Sequence, residues 1–121
     1  MLVMREKLKT GCSFFICPES TCNSTTAFLT RFYNGAFRLS AETGIPLVPL
    51  TFIGSGEIWP RHGGMLTPGK LIVYYHAPIP ASEFEGDDLE SGREKVMAII
   101  KADLLRHYPA GHYGSQPVFA D

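Results

Sequence analysis

Three cysteines, four histidines and one cluster of small polar residues carry most of the chemistry this chain can offer. Cys12, Cys17 and Cys22 recur every fifth residue. Zinc ligands come in pairs about two to four residues apart with further ligands nearby, so this spacing reads as structural thiols, with Cys17 facing a core and Cys12 at a turn, and no metal site. His62, His76, His107 and His112 are scattered. A nucleophilic Ser or Cys needs an adjacent base and an orienting group, and no Gly-x-Ser-x-Gly pattern marks one. Gly54-Ser55-Gly56 could cradle a phosphate on backbone N–H groups, but a plain turn explains it better. The richest stretch is Ile16 to Ser24, ICPESTCNS. An apolar run stops at Pro18, and Glu19, Ser20, Thr21, Cys22 and Asn23 follow. A carboxylate at the C-terminal end of a strand sits where α/β folds bind ligands. It can accept hydrogen bonds from a polyol or turn back onto a backbone N–H. On the residues alone, a binding loop and a structural turn stand level.

The elements that must position this loop follow from periodicity. Val3 to Gly11 reads as the tail of an amphipathic helix, with Val3, Met4 and Leu8 on one face and Gly11 as a left-handed cap. Ser13 to Cys17 is short, apolar and aromatic, a buried strand. A helix is predicted over 34–44, with Ala36, Leu39 and Thr43 at helical spacing and Gly44 closing it. Ile45 to Ile53 is a second buried strand, made irregular by Pro46 and Pro49, which remove ladder donors. A long loop, 54–69, precedes the clearest strand, Lys70 to Ile79. The clearest helix runs from Asp87 to about His107, with Val96, Ile100 and Leu104 on one face and Pro109 as its stop. Strand, helix and strand in series predict a right-handed parallel crossover and an α/β sheet flanked by helices. Three strands make a poor complete domain, so part of the sheet is expected upstream of Met1. The chain divides into a partial domain, 1–108, and a loose tail, 109–121.

Composition narrows the function. The chain has 121 residues and a formal net charge of −1, which leaves no basic footprint for nucleic acid. Three cysteines cannot all pair within the chain, which favours a reducing compartment. No secretory signal is visible, so the Asn23-Ser24-Thr25 glycosylation pattern is discounted. The longest apolar run, 45–53, falls short of the roughly 20 residues a membrane span needs. Association with a membrane surface stays open.

Set in order, the blocks resemble the glycerophospholipid acyltransferase family, the lysophosphatidic-acid acyltransferases and their relatives. The family pattern is a strand ending in Phe-Pro-Glu-Gly-Thr-Arg, then Phe-Lys-x-Gly-Ala-Phe, a helix, and an Ile-Val-Pro strand. Pro18, Glu19 and Thr21 match the first block; Phe32, Gly35, Ala36 and Phe37 the second; Val48 and Pro49 the third. The resemblance covers roughly residues 1–105. It implies the C-terminal half of the acyltransferase fold, a partial mixed or parallel sheet with helices on its faces. It also implies an acceptor-holding loop at Glu19, Ser20, Thr21 and Cys22, supported by Pro18, Gly35, Phe37, Val48 and Pro49. The implied reaction is transfer of an acyl group from acyl-CoA or acyl carrier protein, with no cofactor, to a lysophospholipid or glycerol-phosphate acceptor. It would take place at the cytoplasmic side of a membrane, by a peripherally bound protein.

Two departures define what is expected of this chain. In the family a His-x-x-x-x-Asp motif supplies the general base, the Asp orienting a neutral imidazole suited to proton abstraction near pH 7. Five residues after the four histidines stand Thr67, Ala81, His112 and Pro117; none is Asp. These residues alone are therefore expected to be inactive. The family Gly and Arg are Ser20 and Cys22 here, and a thiol cannot grip a phosphate as guanidinium does. Cys22 with Asn23 resembles a Thr-Cys variant found among lysophosphatidylcholine and glycerol-3-phosphate acyltransferases. The alternatives are a non-catalytic lipid-headgroup or phosphate-binding α/β module and a partner subunit of an acyltransferase.

Overall fold

The computed structural model describes residues 2–20, 23, 27–59, 63–112 and 117–119. Helix α1 (Leu2–Lys9) is followed by an extended segment and the loop bearing Glu19. Then come α2 (Gly35–Thr43), strand β1 (Leu50–Ile53), the single turn α3 (Ser55–Ile58), strand β2 (Ile72–Tyr75), a 3-10 turn (Ala81–Phe84) and the long helix α4 (Asp88–His107). The α/β class and both long helices agree with the sequence reading. Gly11 and Gly44 take the left-handed conformation expected of caps, and the Gly44 N–H returns to the Ser40 carbonyl at 2.9 Å.

Helix α4 organises the molecule. Asp88 and Glu90 lie in its first turn and Arg106 in its last, each sign opposing the helix dipole. Along its inner face two apolar clusters meet. Phe32, Phe37, Ile79, Phe84 and Val96 form one; Phe28, Ile53, Leu104 and Tyr108 form the other. Each such side chain contributes about 1.5–3 kcal/mol by leaving water.

The sheet differs from expectation. Strands β1 and β2 pair antiparallel, with Leu50 opposite Tyr75 and Ile53 opposite Ile72. The prolines act as anticipated: Ile45 to Pro49 forms no regular strand and contributes one isolated bridge, Leu47 to Ile79. The parallel crossover is not formed among the described residues, because Ser13–Cys17 joins no ladder. A strand is defined by its partner, and this segment has none there. Phe14, Phe15 and Cys17 are consequently exposed, which corrects the placing of Cys17 against a core.

Alternation along the strands explains which face is open. Thr51 and Ile53 point to α4, where Ile72 and Tyr74 also pack. Leu50, Phe52, Val73 and Tyr75 face the other way, where the Phe15 ring stands perpendicular to that of Phe52 at 5.9 Å between centres. The segment read as a loose tail is partly docked. The Val118 N–H donates to the His107 carbonyl at 2.7 Å, and Phe119 stacks near the His107 ring.

Candidate acceptor-binding site

The loop after Pro18 is held by the chain that follows it. The Pro18 carbonyl accepts the Tyr33 N–H at 2.8 Å, and the Ser20 N–H closes a turn on the Cys17 carbonyl at 3.1 Å. Glu19 is half-buried. Its Oε2 accepts both the backbone N–H of Thr30 at 2.7 Å and the Thr30 hydroxyl at 2.5 Å. Of the two readings left level by the sequence, the structure shows the turn: this carboxylate braces it. Asn23 is part of the same brace, its side-chain amide donating to the Ala27 carbonyl at 2.7 Å.

Ser20 adopts φ +61°, alone among the described non-glycine residues in taking a positive value. The conformation explains why glycine suits this position in the matching family pattern: it occupies the left-handed region without the Cβ penalty. Thr21 and Cys22 lie outside the described residues, as does His62.

The supporting positions divide. Phe37 is buried in the core, its ring 5.4 Å from that of Phe84. Pro49 is buried, and its carbonyl accepts the His76 N–H at 3.1 Å. Gly35 opens α2 with empty space where a Cβ would stand, and Val48 is exposed. Asn34, next to Gly35, accepts a 2.9 Å bond from Arg93 of α4, fixing the start of α2. A cleft of about 390 Å³ lies between Phe28 and Leu29 on one side and Met97 and Lys101 of α4 on the other, and neither Glu19 nor Ser20 lines it.

Gly54-Ser55-Gly56 proves structural at its first position. The Gly54 N–H donates to the Tyr108 hydroxyl at 3.3 Å, so it is not presented to an anion. Burial, then the Glu57 carboxylate, push the Tyr108 phenol above its ordinary pKa of 10.0.

A second polar cluster escaped the sequence reading. Asp103 is buried on α4, and its Oδ2 takes the Thr51 hydroxyl at 2.7 Å and the His76 Nε2 at 2.5 Å; Arg106 reaches Oδ1 at 3.0 Å. Next to it the Tyr74 hydroxyl meets His107 Nε2 at 2.6 Å. The signal was available: an acid one residue before Leu104 interrupts the apolar stripe of a helix. The His76–Asp103 pair has the arrangement of an imidazole and its orienting carboxylate, and the group ties α4 to both strands.

Comparison with known proteins bears on the family and the fold. The Acyltransferase family model matches residues 1–53. A chloroplastic 1-acyl-sn-glycerol-3-phosphate acyltransferase of Brassica napus is 42% identical over 79 residues, 64% of this chain and 23% of that protein. A chloroplastic counterpart from Arabidopsis thaliana is 42% identical over 79 residues, 64% of this chain and 22% of that protein. The crystal structure of PlsC, the 1-acyl-sn-glycerophosphate acyltransferase of Thermotoga maritima, superposes with a TM-score of 0.74 at 27% identity. It matches 85% of this chain and 42% of that one. The chain thus spans under a quarter of the two plant proteins' length. Motif order, the fold around α4 and these likenesses together support a lysophosphatidic-acid acyltransferase-like member of the glycerophospholipid acyltransferase family over the part the chain spans.

Proposed function

We propose that this chain is the acceptor-holding part of a 1-acylglycerol-3-phosphate acyltransferase-type site. Glu19, Ser20, Thr21 and Cys22 would receive the glycerol-phosphate end of a lysophospholipid. The observation that carries the reading is the Glu19–Thr30 clamp, which fixes a carboxylate on a braced turn within a motif order shared with the family. A group held in place before the acceptor arrives lowers the entropy cost of orienting it. Cys22 stands where the family pattern has Arg, so phosphate recognition here relies less on guanidinium and the acceptor headgroup can differ from lysophosphatidate.

In the reaction the acceptor hydroxyl oxygen would bond to the acyl carbon of acyl-CoA or acyl carrier protein. The carbon–sulfur bond would break and the thiol leave, with a His–Asp base taking the hydroxyl proton. No organic cofactor or metal enters that scheme. The base belongs to a His-x-x-x-x-Asp motif that the 121 residues do not contain. The acceptor being a lipid, the protein would work at the cytoplasmic side of a membrane, attached peripherally; no helix among the described residues is long and apolar enough to cross one.

The test is to incubate the purified chain with labelled acyl-CoA and lysophosphatidate. No transfer above background is expected from these residues alone. Robust turnover would overturn the division of labour.

A further inference from the structure

The segment Ser13–Cys17 has the residues of a strand and no strand beside it. Among the described residues, Ser13 to Ile16 make no backbone hydrogen bond. Unpaired N–H and C=O groups along an extended segment are a template for another chain. Apolar surface adjoins them: Phe14 is 42% exposed and Phe15 66%. Phe15 meets Phe52 edge-on. That contact joins the segment to the open face of β1 and β2, where Phe52 is 38% exposed and Tyr75 76%. The exposed parts of these four rings come to on the order of 400 Å². This is the size of the largest apolar patch on a typical monomer, where such patches mark interaction sites. It is also about half of what one partner buries in a standard interface.

Charge and register select the occupant. A two-fold axis sets each residue close to its own copy, so a charge near the axis would face a like charge. From Thr10 to Pro18 there is no charged residue. The open strand face, Leu50, Phe52, Val73 and Tyr75, carries none either. A formal net charge of −1 leaves little repulsion between whole copies. The segment also complements itself. Antiparallel pairing centred on Phe15 sets Phe15 against Phe15, Phe14 against Ile16 and Ser13 against Cys17. No proline removes a donor from that ladder, and aromatic and branched residues pair well across it. The contact is isologous, so it closes at two copies.

We infer that Ser13–Cys17 is the contact by which two copies of this chain pair, strand against strand about a two-fold axis at Phe15, with the open face of β1 and β2 covered beside it. The pairing is independent of the acceptor-site reading.

Sedimentation equilibrium of the full chain tests it, from low to high micromolar concentration. The buffer is reducing, because Cys12 and Cys17 are exposed and a disulfide would also give a dimer. A reversible monomer–dimer equilibrium is expected. Phe15→Lys places two like charges at the axis and is expected to weaken it about tenfold or more. Phe15→Glu is expected to do the same alone. An equimolar mixture of the two variants is expected to associate again, each Lys meeting a Glu, which a folding defect in either variant would not allow. A monomer at every concentration, assemblies that grow beyond two copies, association undiminished in Phe15→Lys, or a mixture no stronger than its components would each overturn the proposal.

Discussion

Asp103→Ala is expected to cost about 3–5 kcal/mol of folding stability, the range for removing one partner from a buried charged cluster. Asp103 is buried, and three donors from three elements converge on it: Thr51 of β1, His76 just beyond β2 and Arg106 of α4. Truncation strands the Thr51 hydroxyl, which is itself buried, and leaves His76 without its carboxylate. Small domains have only about 5–15 kcal/mol in total, so a large part of the stability goes with one side chain. Urea unfolding measures it. The midpoint should fall steeply for Asp103→Ala and only modestly for Arg106→Ala, whose side chain is 64% exposed. A loss under about 1 kcal/mol for the aspartate, the size of an ordinary surface change, would mean the cluster does not hold α4 to the sheet.

Gly54→Ala is expected to cost about 2–5 kcal/mol, combining a left-handed backbone with overpacking. Gly54 sits at φ +93°, and a Cβ there would stand 2.2 Å from the carbonyl oxygen of Lys70 and 3.0 Å from the Phe119 ring. Phe119 can turn aside, but the Lys70 carbonyl is backbone at the entry to β2. Relief therefore means moving the strand connection and pulling the Gly54 N–H from Tyr108. Gly35→Ala is the matched control. Gly35 belongs to the family pattern, yet a Cβ there meets nothing, and the substitution is expected to change stability by no more than about 1 kcal/mol. Thermal melts of the two variants side by side decide the point. Equal losses would contradict the packing described at Gly54.

Much of this molecule could be read before it was seen, and the reasons differ by element. Helix α4 was legible because Val96, Ile100 and Leu104 keep helical spacing over many turns and Pro109 ends it. The short strands were legible as apolar runs, but their partners were not, since pairing is set by tertiary context. Ser13–Cys17 shows this most clearly: its residues are those of a buried strand, and among the described residues no neighbour pairs with it. The loop at Glu19 was found by residue type, but its state was not, because a carboxylate near a turn looks the same in sequence whether it awaits a ligand or binds a backbone N–H. Thr30, the residue that resolves this, is eleven positions away. Asp103 shows in the sequence only as an interruption in an apolar stripe, and what it bonds is set by β1 and the residue after β2. Val118 and Phe119 read as tail in the sequence because nothing local marks a segment that docks through one backbone bond and a ring contact.

The central claim is that the Glu19 loop holds the glycerol-phosphate end of an acceptor. The most direct measurement is a calorimetric titration of the chain with glycerol 3-phosphate, which needs neither an acyl donor nor the absent base. Saturable binding is expected, weakened about tenfold to a hundredfold in Glu19→Gln, the loss of a charge-assisted hydrogen bond. Binding that is absent in the unaltered chain, or equal in the two proteins, would contradict it.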